Sequence, residues 1–230
     1  MSETNNDSSA VTLKIPRSAL FAAGGVALVG VGLAALEQAL AHLQGEVQAS
    51  IHCQPFELNP AMAPGGQDIT EHLSQKYGST PEQQAQIRET IRQRGADVGF
   101  TFNADGRGRI YNTFDAHRLL HWAGIAHAEL QLPLKKALLV ACHRNRQAMD
   151  QHDVLLAAAR QVGLDEAAAQ EVLASGAYAQ EVREAERLYT SSGIHSVPAV
   201  IINDRHLISG GQPVEVFEQA LRQIAAGQVS

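Results

Sequence analysis

The chain has 230 residues, 45% hydrophobic and 18% charged, with a formal net charge of −6; this is enough apolar material for one enlarged domain or two small ones, and too much for a disordered chain. The acidic balance and the 5% aromatic content exclude the basic patches and base-stacking platforms that nucleic-acid binding requires. The two cysteines, Cys53 and Cys142, stand far apart, which excludes a vicinal C-x-x-C dithiol, a disulfide scaffold and a cysteine-based zinc site.

Residues 1–10 are polar and acidic without periodicity, a predicted disordered tail. Val11, Leu13 and Ile15 alternate with Thr12 and Lys14, a short strand that Pro16 stops. Residues 18–36 form an uncharged run of about 19 residues, near the length of a membrane span. Lys14 and Arg17 precede it and Ala39, Leu40 and Ala41 follow, so it also has the outline of an export signal. The run is rich in Ala, Gly and Val, and Gly24, Gly25, Gly30 and Gly32 punctuate it. We therefore read a glycine-rich loop leading into a core helix and expect a cytoplasmic protein, with export or membrane anchoring through residues 18–36 as the alternative.

That helix carries Leu33, Leu36, Leu40 and Leu43 at helical spacing and closes at Gly45. Val47, Ala49, Ile51 and Cys53 then alternate with Gln48, Ser50, His52 and Gln54, a half-buried strand ending at Pro55. The middle of the chain is helical. Asp68 with Glu71 makes a capping-box pattern before a helix stopped by Gly78, and Thr80-Pro81 opens a second helix that Gly95 ends. Residues 98–102 read as extended, leading to a turn at Asn103, Ala104, Asp105 and Gly106. Helices follow over residues 113–123, 133–144, 150–162, 165–174 and 178–189. Residues 199–202 are an apolar strand, Asn203, Asp204 and Arg205 a hairpin turn, and residues 206–209 the return strand. A closing helix places Val214, Phe217, Leu221 and Ile224 on one face.

A β-α-β unit cannot bury a sheet face alone, so the terminal β-β-α is expected to complete its sheet across the helical block. The predicted architecture is α/β: a thioredoxin-like fold formed by residues 11–62 and 192–230, with a large all-helical insertion domain over residues 63–191.

Three stretches carry a family resemblance: Gln54-Pro55-Phe56-Glu57-Leu58-Asn59-Pro60, Asn112-Thr113-Phe114-Asp115-Ala116-His117-Arg118-Leu119-Leu120-His121-Trp122-Ala123, and Ser196-Val197-Pro198-Ala199. Over about residues 33–226 the chain resembles the DsbA family, in particular its FrnE-like branch of dithiol–disulfide oxidoreductases. Kappa-class glutathione transferases and 2-hydroxychromene-2-carboxylate isomerases are looser relatives. The resemblance implies an oxidoreductase acting on protein or peptide thiols and disulfides, with glutathione as a further candidate partner, and no cofactor. It implies a site in the cleft between residues 26–29, residues 54–59, the helix over residues 112–122 and Val197-Pro198. Gln54, Phe56, Asn59, Asn112, His195, Val197 and Pro198 are the substrate-binding candidates. It also implies a cis bond at Val197-Pro198, where proline lowers the cost of cis to about 0.5–1 kcal/mol.

The family places C-P-x-C between its first strand and first helix, where the helix N-terminus stabilises a thiolate. Counting back from Gly32-Leu33, those positions are Val26-Ala27-Leu28-Val29. Val26 and Val29 have no lone pair with which to attack a disulfide sulfur, and Val26 is not the serine that the glutathione-dependent relatives use. The expected function is a catalytically degenerate member of the family. A non-catalytic peptide-binding chaperone or adaptor, and a glutathione-dependent isomerase or transferase, are the alternatives. Residues 16–31 are a low-complexity stretch unlike the family, whereas from Ala34 the likeness is close; a shifted reading frame or a wrongly joined 5′ segment there would also remove the dithiol.

Cys53 lies on the apolar face of its strand and Cys142 on a helix face with Leu134, Leu138 and Ala141, so both are expected to be buried structural thiols. His117 and His121 stand at i, i+4 with Asp115 nearby, a spacing for two metal ligands, but no third ligand is identifiable. A polar helix face lining the inter-domain cleft is expected instead, and no metal. Gly210-Gly211 reads as a turn before the last helix, and Arg88, Arg92 and Arg94 with Glu89 as a solvated face.

Overall fold

The computed structural model describes residues 10–16 and 27–228. The tail over residues 1–9, the loop expected over 18–26, and Val26 with it, lie outside the described residues. In chain order the elements are β1 (Ala10–Pro16), α1 (Ala27–His42), β2 (Gln48–Gln54), β3 (Gln67–Asp68), α2 (Ile69–Tyr77), α3 (Pro81–Asp97), β4 (Arg109–Ile110) and α4 (Phe114–Ala126). There follow α5 (Ala128–His143), α6 (His152–Gln161), α7 (Glu166–Ser175), α8 (Ala179–Ser191), β5 (Ala199–Ile202), β6 (His206–Ser209) and α9 (Val214–Ala225).

β1 and β2 run parallel with Leu13 opposite Ile51, as a helical crossover requires. β5 lies antiparallel to β1, with Leu13 opposite Ile202, and pairs on its other side with β6. The sheet order is β2-β1-β5-β6. The two ends of the chain thus build one sheet, and the helices α2 to α8 are inserted between β2 and β5: a thioredoxin-like fold with a helical insertion. One hydrophobic core joins them, with Leu36 and Leu43 of α1, Val200 and Ile202 of β5, Phe217 and Leu221 of α9, and Leu119, Leu120, Leu134 and Leu138 of α4 and α5.

Local chemistry explains several helix ends. Asp68 accepts the N–H groups of Thr70 and Glu71 at 2.9 and 3.0 Å, and Gly78 closes α2 at φ 67°. Thr80 and Gln83 form a reciprocal capping box with Pro81 in the first turn of α3, and Asp165 accepts the Ala168 N–H at 2.7 Å. Asn203 and Asp204 take φ of 53° and 57°, the left-handed pair of a tight hairpin turn.

Three local expectations need correction. Gly95 does not end its helix: α3 continues to Asp97, and Gly95 is buried within it because a Cβ there would lie 2.5 Å from the Phe102 ring and 2.6 Å from the Phe100 carbonyl oxygen. α5 begins at Ala128 and not at Pro133, which falls in its second turn and forfeits only the bond to the Glu129 carbonyl. Residues 98–102 form no strand, while a two-residue ladder pairs Gln67 with Ile110 and Asp68 with Arg109. The strand expected to stop at Pro16 is β1, whose last residue is Pro16, paired opposite Gln54.

Among the described residues no helix is long and apolar enough to cross a membrane. Val29, Val31, Leu33, Ala35 and Leu36, from the apolar run, are buried in the protein's own interior.

Candidate functional site

Val29 stands in the first turn of α1 and is 1% exposed. It packs with Phe56, Ile194, Val197 and Ala199 in a small apolar cluster separate from the main core, flanked by Leu58, Tyr189 and Ile201. Three segments therefore meet at this point: the start of α1, the stretch that follows β2, and the loop that leads into β5.

The Val197–Pro198 peptide bond is cis. The Pro198 carbonyl accepts the Gly210 N–H at 2.8 Å, which ties the loop to the turn after β6. Pro198 lies directly against α1, since a Cβ on Gly32 would come 3.2 Å from its Cγ. The neighbouring Gly211 approaches Leu28 so closely that a Cβ on it would be 3.0 Å from the Leu28 carbonyl oxygen. The Phe100 ring covers Gly30 from the insertion side. Arg94 reaches from α3 to donate to the Gly211 carbonyl, so it is part of this junction and not of the solvated face expected for it. Arg92 and Glu89 do pair at 2.6 Å on the exposed side.

The other sequence candidates divide. Val26 is outside the described residues. Val197 and Phe56 lie in the cluster, and His195 is exposed beside it. Gln54 is half-buried at the end of β2. Asn59 accepts from Lys76 Nζ at 2.6 Å, and Lys76 also donates to the Leu58 carbonyl at 3.2 Å. Burial holds that lysine below its ordinary range. Asn112 donates to the Met62 carbonyl at 2.9 Å and accepts the Phe114 N–H at 3.0 Å, which fixes the start of α4.

Cys53 and Cys142 are buried, at 1% and 2% exposure. Burial pushes the Cys142 thiol up, outweighing Arg107, whose Nη1 lies 3.9 Å from Sγ, and Lys135; such a thiol is a poor nucleophile. His117 is fully buried and does not line a cleft, and the His121 ring faces Tyr178 at 5.5 Å. Arg118 beside His117 is also buried, and donates to the Val172, Leu173 and Ala177 carbonyls at and just past the end of α7, while Asp115 and His121 stay half-buried. Among the described residues no group of three or more His, Cys, Asp or Glu is placed to hold a metal.

Reading the sequence for chemistry missed Arg183 and Glu186. Arg183 Nη1 donates to Glu57 and, at 2.9 Å, to Glu186, with its guanidinium 3.9 Å over the Phe114 ring. The Glu57 and Glu186 side chains are only 2% and 11% exposed. Burial raises Glu57 against the pull of Arg183. Burial, and then the charge of Glu57, push Glu186 up to about 7. Glu57 stood inside the first quoted motif, and the i, i+3 spacing of Arg183 and Glu186 was the other available signal.

The sequence model of the DSBA-like thioredoxin domain matches residues 32–222, beginning just past positions 26–29. No curated protein matches the chain. Among solved structures, a probable DsbA oxidoreductase from Streptomyces coelicolor is similar over 96% of this chain and 91% of its own, with 29% identity and a TM-score of 0.80. A 2-hydroxychromene-2-carboxylate isomerase shares the fold at 15% identity, 96% and 100% coverage and a TM-score of 0.60. So does the cytosolic disulfide reductase DsbM from Pseudomonas aeruginosa, solved with glutathione, at 16% identity, 94% and 98% coverage and a TM-score of 0.59.

Proposed function

The chain belongs to the DSBA-like thioredoxin domain family, and from that premise we propose that it keeps the family's docking loop without its thiol chemistry: a DsbA/FrnE-like protein, catalytically degenerate as a disulfide oxidoreductase, that binds an extended peptide beside Pro198. The observation that carries this reading is Val29, sealed in an apolar cluster with Phe56, Ile194 and Val197 where the family's second cysteine would stand. A valine can neither attack a disulfide nor leave one. The two cysteines that the chain does have are buried, and neither belongs to that cluster.

The sequence around the missing dithiol has fold partners on both sides. β1 pairs with β2 before it, and α1 packs into the core after it. A frame shift confined to the intervening residues would need two compensating changes, which favours a chain that lacks the cysteines in an intact frame. Two buried cysteines that form no disulfide suit a reducing compartment, and we place the protein in the cytoplasm.

The test combines insulin reduction, scrambled-ribonuclease oxidation and binding of fluorescein-labelled, carboxymethylated α-lactalbumin. Turnover at background together with saturable binding that Pro198→Ala weakens is the expected result. Turnover that Cys142→Ser abolishes would overturn the reading, and saturable glutathione binding without peptide binding would replace it with the glutathione-dependent alternative.

A further inference from the structure

Glu57 and Arg183 are 126 residues apart in the chain, yet their ion pair spans two walls of the Val29 cluster. Glu57 sits between Phe56 and Leu58, both of which pack into or against that cluster. Glu186 lies one turn before Tyr189, which packs against it, and the Tyr189 carbonyl accepts the Ile194 N–H at 3.1 Å. Arg183 holds both carboxyl groups with a single nitrogen. Oε1 of Glu57 and Oε1 of Glu186 are both buried outside these ion pairs, and Thr113 is the further hydrogen-bond partner of the Glu57 carboxyl; two buried carboxylates facing one cation carry a desolvation cost that the cation alone does not offset.

We propose that Glu57, Arg183 and Glu186 form a proton-gated clasp: with a proton on the Glu186 carboxyl the cluster is neutral and draws α8 and residues 55–59 together around the Pro198 loop, and loss of that proton loosens the loop. The charge count makes the direction definite. One proton leaves one anion against one guanidinium; without it a buried net negative charge pushes α8 away from residues 55–59. The charged groups facing the Glu186 carboxyl are Arg183 from its own helix and Glu57 from the segment after β2. The start of α4 contributes the Phe114 ring beneath Arg183 and Thr113 beside Glu57, and α2 contributes Lys76, held on Leu58 and Asn59. The raised position of Glu186, about 7, puts the transition in the physiological range.

The consequence for ligand rests on the docking reading above; the clasp itself does not, so its test reads the protein alone. Amide exchange of residues 189–198 and 55–59 is compared at about pH 6 and about pH 8, corrected for the intrinsic pH dependence of exchange, in wild type and Glu186→Gln. Protection of both segments in wild type is expected to fall about tenfold at the higher pH and to stay unchanged in the variant. Equal protection at both pH values in wild type, or the same response in Glu186→Gln, overturns the clasp. If the variant does not fold, side-chain carboxyl NMR of glutamate-labelled wild type decides: a resonance titrating above pH 6 supports the proposal and none overturns it. A clasp that responds in a protein that binds no carboxymethylated α-lactalbumin refutes the docking reading and leaves the clasp standing.

Discussion

Gly32 and Pro198 are in contact across the site, with space for a hydrogen but not comfortably for a methyl: a Cβ on Gly32 would lie 3.2 Å from Pro198 Cγ and 3.4 Å from the Gly211 Cα. α1 can approach the cis-proline loop this closely only because residue 32 has no side chain. Gly32→Ala gains about 1 kcal/mol of helix propensity but displaces Pro198 by a few tenths of an ångström. Stability in urea is therefore expected to change little while affinity for carboxymethylated α-lactalbumin falls severalfold. A variant that loses stability and binding in parallel would show instead that the contact is purely structural.

Gly95 is the opposite case. A Cβ there meets the Phe102 ring at 2.5 Å and a backbone oxygen at 2.6 Å, and neither can retreat without moving the segment that covers Gly30. Gly95→Ala is expected to lower unfolding stability by about 1–3 kcal/mol despite its better helix propensity. An unchanged urea midpoint would contradict the packing.

Arg118 is 3% exposed and supplies hydrogen bonds to three carbonyls at the end of α7 while pairing with Asp115 at 2.9 Å. Arg118→Ala leaves those acceptors buried and unpaired, with an expected cost of about 3–5 kcal/mol. Arg118→Lys should recover little of it, because a single ammonium cannot reproduce the planar fork. Recovery to wild-type stability in the lysine variant would refute the role of the fork.

For Glu186 the ordinary value is 4.5 and the folded value about 7, so the folded protein holds the proton more tightly than the unfolded chain. The stabilisation is complete below about pH 4.5 and is lost as pH rises through 7, a span worth on the order of 3 kcal/mol. Other carboxylates, such as Glu46 beside Arg222, are shifted downward and oppose this trend in acid. The measurement is accordingly the stability of wild type minus that of Glu186→Gln across pH 5 to 8, expected to decline steadily; a flat difference would contradict the buried pair.

The fold was legible wherever local chemistry decides it. Thr80-Pro81, Asp68 and Asp165 announce helix starts with their own side chains, the alternation from Val47 to Cys53 marks β2, and Asn203-Asp204 marks the hairpin. Gly95 and Pro133 misled because their helix-breaking tendency is a local cost of about 1–3 kcal/mol that packing overrides. β3 and β4 are two residues each, too short to show a period. The site was half legible: Val197-Pro198 and Phe56 came from the family motifs, whereas Ile194 and the partnership of Glu57 with Arg183 exist only through the tertiary fold. Nothing within ten residues of Arg183 indicates that it faces Glu57.

Cysteines restored at positions 26 and 29 test the register of the missing dithiol. Valine and cysteine have similar volumes, and Val29 lies in an apolar pocket, so Val29→Cys should fold with a loss below about 1.5 kcal/mol. Residue 26 immediately precedes Ala27, where α1 begins, and the N–H groups and dipole of a helix start lower the pKa of a nearby thiol. The double variant Val26→Cys, Val29→Cys is therefore expected to reduce insulin above background. Each single variant should remain inactive, because a mixed disulfide without a second thiol is not resolved. The two thiols should also form a disulfide under mild oxidation, detectable as protection from alkylation. A folded double variant that neither closes this disulfide nor reduces insulin would show that the valines do not stand where the family keeps its cysteines.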